Sequence, residues 1–329
     1  MKIFVTGGAG FIGSNLVDRL LALGYTVVAF DNFDTFYSEK TKRENIVDAL
    51  KSPNYTLVEG NILDKEKLYE TLKETLPDVV VHLAAKGGVR PSIENPEAYY
   101  ETNVTGTLNL LQCMRKASLK KIIFASSSSV YGNNSKVPFS ETDNVDNPIS
   151  PYAASKKAGE LLCHTYHHLY GFDIFCLRFF TVYGPRQRPD LAIHKFFNAI
   201  LNNKPITIYG DGTTGRDYTY IDDITDGIIS AIDKLKGYEI INLGGSQSIL
   251  LKDLIKLIET ATAKTALIKA DEIQQGDVTI TFADIDKAGK LLGYKPKIGI
   301  TEGIKLYNEW LTLQKQRGTY SLTDKSSIK

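Results

Sequence analysis

Cysteine is scarce. The 329 residues hold three, Cys113, Cys163 and Cys176, an odd number with no CxxC spacing, each inside an apolar segment. A disulfide scaffold and a cysteine-built zinc site are therefore excluded, and buried free thiols in a reducing compartment are expected. An excess of either charge is also lacking, with 39 Lys and Arg against 38 Asp and Glu and a formal net charge of +1. No long-range pull toward nucleic acid or an anionic membrane follows, so any anionic ligand must be gripped locally. No apolar run approaches the roughly 20 residues a membrane span needs. The chain opens into strand-like residues rather than a basic and then apolar leader, so a cytoplasmic protein is expected. Histidine is sparse as well, at five. His82 falls in an apolar run and reads as a packed core residue. His164, His167 and His168 share one helical stretch with no acidic partner at ligand spacing, so no metal site is assigned.

What is present begins at once. In KIFVTGGAGFIGS, residues 2–14, the run Ile3 to Thr6 suits a strand buried on both faces, and a glycine-dense turn follows. After the turn, Ile12, Leu16, Leu20 and Leu23 recur at helical spacing. Gly7 and Gly8 allow backbone angles closed to other residues, Gly10 permits close approach to a pyrophosphate, and Gly13 lets the helix lie against the strand. Phosphates would meet the N–H groups of Phe11 and Ile12 at the positive helix end. A second run, Thr26 to Phe30, ends in Asp31 and Asn32, where a carboxylate accepts from the adenosine ribose hydroxyls. That carboxylate repels a 2′-phosphate, and the next arginine is Arg43, so NAD is favoured over NADP.

Further runs at Thr56 to Glu59, Val79 to Ala85 and Ile122 to Ser127 alternate with helical patterns. The alternation predicts a doubly wound α/β fold of Rossmann type, with ligands outside the carboxyl ends of parallel strands. Asn61, Ile62, Leu83, Ala84, Ala85 and Ser126 to Ser129 fall at those ends. The polar insert Phe33 to Pro53 reads as one helix covering the adenosine side, with no chemistry. Segments 96–117 and 151–170 read as long helices with mixed faces, suited to burial against a partner or their own sheet. Beyond Tyr183 strict alternation stops, and runs such as Ile206 to Tyr209, Tyr218 to Ile221 and Glu239 to Leu243 suggest a smaller mixed α/β lobe. The expected division is 1–182 for the cofactor unit and 183–313 mainly for the substrate lobe, with some segments returning to the first unit. Residues 314–329 read as a disordered tail.

The stretch SPYAASK places Tyr152 and Lys156 four apart, on one helix face. A phenol near pKa ~10 is a poor base, but an adjacent ammonium and an oxidised nicotinamide both favour the phenolate. FASSSSVYG sets Ser126 to Ser129 at the carboxyl end of the fifth strand, 25 positions before Tyr152 when counted from Ser127. Those hydroxyls are placed to orient a sugar hydroxyl and its carbonyl product.

TGGAGFIGS, Asp31 with Asn32, HLAA at 82–85, Asn103 in TNVTGT, SSSSVYG, Tyr152 with Lys156, and RFFTVYGP together resemble the extended short-chain dehydrogenases/reductases of the nucleotide-sugar epimerase type. The likeness runs from residue 1 to about 312. It implies that Ser127 and Tyr152 contact the sugar 4-hydroxyl with Tyr152 as base, and that Lys156 holds the nicotinamide ribose. It also implies that Asn103 serves the cofactor, and that a hydride leaves C4 for NAD and returns to the other face of the turned 4-keto sugar. Asn61 departs from the family's aspartate near the adenine, although an amide can still donate and accept there.

Within that family, Ser128 and Ser129 stand where dehydratases carry Asp-Glu, so dehydration lacks its acid. Ser129 also replaces the glutamate usual in the uronate decarboxylases. RFFTVYGPRQRPD, with Thr181 where UDP-glucose 4-epimerases have asparagine, resembles the UDP-glucuronate 4-epimerases, as do GGVRPSIENP at 87–96 and QQGDVTITFAD at 274–284. The resemblance assigns the UDP part to Arg90, Arg188, Arg216, Tyr209 and Asp277, with Arg186 the weaker neighbour of Arg188, and implies a homodimer. UDP-glucose, UDP-N-acetylglucosamine, decarboxylation and a non-catalytic sensor of NAD or a nucleotide sugar remain alternatives.

Overall fold

The computed structural model describes residues 1–271 and 280–317. Among them, seven strands form one parallel sheet: β1 (Lys2–Thr6), β2 (Thr26–Asp31), β3 (Tyr55–Glu59), β4 (Val79–His82), β5 (Lys121–Ser127), β6 (Asp173–Phe179) and β10 (Tyr238–Leu243), in the order β10-β6-β5-β4-β1-β2-β3. The alternation of a strand sends Ile3 and Val5 to one core layer and Phe4 to the other, and the same split separates Ile123 from Ile122 and Phe124. Each such side chain contributes about 1.5–3 kcal/mol on burial, so both faces must be covered. Helices α1 (Phe11–Ala22) and α9 (Ile221–Lys234) cover one face. On the other lie α3 (Lys65–Thr75), α6 (Gly106–Lys116) and α7 (Pro151–Tyr170). The insert after β2 forms α2 (Glu39–Asn45) and a 3₁₀ turn, Ala49–Lys51.

Winding reverses between β1 and β4, which opens a crevice at their carboxyl ends. Short α4 (Val89–Glu94) and α5 (Pro96–Tyr100) follow β4. The smaller sheet takes β7 (Thr181–Tyr183), β9 (Gly215–Tyr220) and β11 (Ser248–Leu250), and a two-stranded ladder joins β8 (Pro205–Tyr209) to β12 (Leu267–Asp271). Helices α8 (Ala192–Leu201), α10 (Leu251–Thr262), α11 (Asp286–Leu292) and α12 (Ile300–Arg317) pack around these.

Local chemistry explains the helix most relevant to the site. Ser150 accepts from the Ala153 N–H, Pro151 opens α7, and Gly171 at φ +64° ends it, so its ends fall where expected.

Several readings need correction. The run Glu239 to Leu243, placed in the smaller lobe, is β10, paired parallel with β6, because α9 crosses over as in the other strand-helix-strand units. The run from Val79 stops as a strand at His82, leaving 83–87 irregular at the crevice. Segment 96–117 is α5, a π-helical turn at Glu101–Thr105, then α6. Leu23, counted in the helical spacing, is the C-cap just past α1 and is exposed. Residues 314–317, expected in the tail, are helical instead, since Ile300, Ile304, Tyr307 and Leu311 form a buried stripe that carries α12 to Arg317. Residues 318–329, and Asp277, lie outside the described residues.

Candidate active site

A cavity of about 620 Å³ opens at the crevice, and the glycine turn forms its floor. Gly7 sits at φ +71°, and a Cβ there would meet the Ala84 nitrogen at 2.8 Å, so β1 and β4 diverge only around a glycine. At Gly13 a Cβ would fall 2.1 Å from the Gly7 carbonyl oxygen. The turn and α1 can therefore nest only without side chains. Gly10, Phe11 and Ile12 line the same wall, and no side chain caps α1, which leaves first-turn N–H groups for a ligand.

Asp31 is buried at the end of β2 and accepts from the backbone N–H of Ala9 at 3.0 Å and of Phe33 at 2.8 Å. Those bonds fix its orientation and leave lone pairs for ribose hydroxyls. Asn32, Asn61 and Ile62 continue the wall; Asn61 Oδ1 accepts from the Leu63 N–H, leaving its amide free to donate. Arg43 does not enter, since its guanidinium lies 4.1 Å over the Phe33 ring and pairs with Glu39 and Glu59. These features fit a dinucleotide without a 2′-phosphate.

Leu83, Ala84 and Ala85 line the opposite wall, and a buried relay braces them. Thr6 Oγ1 accepts from Ala84 N–H and lies 2.7 Å from His82 Nδ1, while His82 Nε2 lies 3.0 Å from Thr107 Oγ1, which donates to the Asn103 carbonyl. With Thr107 already donating, the ring must carry its proton on Nε2. Burial pushes the His82 pKa down to about 3, so the ring stays neutral, as a core histidine should. Asn103 itself does not line the cavity. Its carboxamide takes the Lys86 N–H at 2.8 Å and donates to the Lys86 carbonyl and Ser155 Oγ, because the π turn rotates it inward. The residue expected at the cofactor thus holds the loop that faces it.

Ser127, Ser128, Ser129, Tyr152, Lys156 and Thr181 share the far end of the cavity. The Tyr99 ring meets Tyr152 edge-on, with centroids 6.2 Å apart. Burial raises the Tyr152 pKa, opposed by a hydrogen bond with Ser127 and by the charge of Arg188. Lys156 lines the cavity while its Nζ donates to the Ala125 carbonyl at 2.7 Å, because its stem runs inward along α7 onto β5. Burial pushes its pKa down to about 8, against Cys163 and Glu160. Ser127 Oγ donates to Ser129 Oγ at 3.2 Å, grouping the hydroxyls.

Among the arginines, Arg188 and Arg216 line the cavity. Arg188 is braced by Asp190 at 3.0 and 2.8 Å, whereas Arg186, at φ +65°, turns away to Asp18. Arg90 and Tyr209 do not line it; they stack on each other at 4.6 Å, with Arg90 on α4.

The insert read as empty of chemistry supplies Asp34, Phe36, Tyr37 and Lys42 to the same cavity. Lys42 is buried, donates to the Asp34 carbonyl at 2.6 Å, and is held below its ordinary pKa by burial. Asp34 pairs with Lys86 at 3.1 Å; burial opposes ionisation, but the Phe36 N–H and Lys86 keep its carboxyl below the usual range. Lys42, Lys86 and Arg188 thus bring three cationic side chains to one cavity of a nearly neutral chain. The available signal was position, an insert leaving the end of β2 at the winding reversal.

A glycine cradle, a ribose-facing carboxylate and a Ser-Tyr-Lys set at one crevice define a dinucleotide-dependent enzyme of the short-chain type. The chain belongs to the NAD dependent epimerase/dehydratase family, whose pattern matches residues 3–244. It is 46% identical over 308 residues to UDP-glucuronate 4-epimerase of Thermodesulfobacterium geofontis, covering 93% of this chain and 94% of that one. Its fold is similar to the UDP-glucuronic acid 4-epimerase of Bacillus cereus in complex with UDP-glucuronic acid and NAD, with TM-score 0.90, 39% identity, and 95% and 99% of the two chains covered. It is also similar to UDP-glucose 4-epimerase of Thermotoga maritima with UDP-glucose, at TM-score 0.88, 34% identity, and 96% and 100% coverage.

Proposed function

We propose that this protein is an NAD-dependent isomerase that interconverts UDP-glucuronate and UDP-galacturonate by inversion at C4. The supporting observation is the company Tyr152 keeps. Ser127 lies against its hydroxyl, and Ser128, Ser129 and Thr181 line the same end of the cavity with no carboxylic acid among them. NAD, when bound, supplies a reversible acceptor for the C4 hydride and a positive ring that favours the phenolate.

Ser127 orients the 4-hydroxyl and Tyr152 takes its proton; after the 4-keto sugar turns over, Tyr152 returns the proton to the oxygen. Lys156 adds a buried positive charge at the base of the phenol's helix. Arg216 takes the diphosphate through its planar fork and Arg188, whose own fork is held by Asp190, adds positive charge, with Arg90, Tyr209 and Asp277 assigned to the rest of the UDP group. A C4-oxidised glucuronate is a β-keto acid and loses carbon dioxide when its C5–C6 bond aligns with the carbonyl π system. Hydrogen bonds from Ser128, Ser129 and Thr181 to the carboxylate hold it away from that alignment.

The test is to incubate the protein separately with UDP-glucuronate, UDP-glucose and UDP-N-acetylglucosamine and to identify the sugars formed. UDP-galacturonate from the first is expected, and in Ser128→Ala and Thr181→Ala variants a rising share of UDP-pentose. Turnover of UDP-glucose alone would sink the substrate assignment; variants with ordinary affinity and no pentose would sink the carboxylate grip.

The remaining readings concern assembly and compartment. Among the described residues no helix is long and apolar enough to cross a membrane, and all three thiols are buried and free, which supports a reducing cytoplasm. Exposed Tyr100, Leu161 and Leu169 on α5 and α7 support a homodimer through segments 96–117 and 151–170. Leu161→Asp is expected to halve the mass measured by light scattering; a wild-type mass equal to one chain would refute the dimer.

A further inference from the structure

Glu160 and Arg178 form an ion pair at the centre of the molecule that the chemistry above does not use. Both side chains are 1% exposed. Arg178 Nε donates to Glu160 Oε1 at 2.8 Å and Nη2 to Oε2 at 2.9 Å, a fork closed on a carboxylate. Ser126 Oγ donates to the same Oε1 at 2.6 Å. Tyr131 lays its ring 4.8 Å over the guanidinium and donates to Asn242 Oδ1 at 2.7 Å, tying the pair to β10.

Burying two ions costs heavily in desolvation, and apolar residues of similar volume often serve stability as well or better. Stability therefore does not explain the pair, whereas its placement suggests another role. Glu160 follows Lys156 by four residues and Tyr152 by eight, all on one face of α7. Arg178 on β6 is in register with Ser126 on β5, the residue before Ser127. One carboxylate thus ties the helix that carries Tyr152 and Lys156 to the strand that carries Ser127.

We propose that Glu160 and Arg178, with Ser126, are positioning residues that fix α7 along the sheet so that the Tyr152 and Ser127 hydroxyls meet at one point. The bidentate geometry suits this, since a fork on a carboxylate resists both sliding and rotation where a single bond resists neither. A sub-ångström displacement of reacting groups is enough to slow a reaction without loosening substrate. This inference rests on the 4-epimerase reading, so the test separates the two.

Three proteins are compared: wild type, Glu160→Gln, and the double variant Glu160→Met with Arg178→Met. In Glu160→Gln, kcat is expected to fall about 100-fold with KM and bound NAD within about twofold of wild type, the pattern of misaligned groups in an intact pocket. The double variant leaves no lone buried charge, so its melting temperature should return to near that of wild type while kcat stays low. A merely structural pair predicts the reverse: kcat recovers with stability. Wild-type kcat in either folded, NAD-loaded variant would overturn the proposal. Wild-type turnover of UDP-glucuronate reports on the parent reading. The variant-to-wild-type ratio, taken on whichever of the three UDP-sugars is turned over, reports on the clamp alone.

Discussion

Tyr152→Phe is expected to lower kcat by about 10³-fold while leaving KM and NAD content near wild type, within the range that one positioned acid or base contributes. Only an oxygen is removed. The ring keeps its edge contact with Tyr99, and α7 keeps its serine cap and closing glycine, so fold and pocket shape persist. No neighbour substitutes for the lost group. Ser127 is an ordinary hydroxyl whose proton goes to Ser129 Oγ, and Lys156 is turned onto the Ala125 carbonyl. The pH dependence of the wild-type enzyme follows from the same pair. Burial brings the Lys156 pKa down to about 8, so its ammonium is present below that pH and is lost as pH rises through it. Rate measured from neutral to alkaline pH should therefore fall above about 8, and Lys156→Met, already slow, should lack that fall. A phenylalanine variant that inverts C4 at the wild-type rate would remove Tyr152 from the chemistry.

Local chemistry made part of this site legible in the sequence, and longer-range folding hid the rest. Gly7, Gly13 and Asp31 are readable because a strand, a turn and a helix in immediate succession leave little freedom in where they go. Ser127 and Tyr152 are readable because one ends a buried strand and the other opens a capped helix. Lys42 and Asp34 escaped because their place depends on the insert folding back over the crevice, which no periodicity records. Asn103 is assigned to the cofactor by resemblance alone, and nothing in the sequence signals its bonds to Lys86 from within a π turn. The run at Glu239 read as part of the smaller lobe because strand order is a property of the whole sheet. Glu160 and Arg178 gave no signal at all: a charged residue in a helix ordinarily faces water.

Gly13→Ala is expected to strip the protein of NAD, by about 100-fold or more in affinity, although it adds a single methyl. Its Cβ would sit 2.1 Å from the Gly7 carbonyl oxygen, 2.9 Å from the Gly7 carbonyl carbon and 2.9 Å from Gly8 Cα. All three are backbone, so no side chain can swing aside. Either α1 lifts from β1 or the turn opens, and both displace the first-turn N–H groups that would meet phosphate. Overpacking of this kind costs about 3 kcal/mol when the neighbours cannot yield, which corresponds to roughly two decades in binding at 1.4 kcal/mol each. Gly289→Ala is the matched control, because its nearest neighbour is the Tyr294 carbonyl at 3.7 Å, an ordinary contact, and α11 gains a better helix former. NAD released on denaturation, counted per chain by mass spectrometry, should match wild type for Gly289→Ala and be near zero for Gly13→Ala. Full occupancy in Gly13→Ala would mean that the dinucleotide does not rest on this turn, and the placement of Tyr152 against it would fail as well.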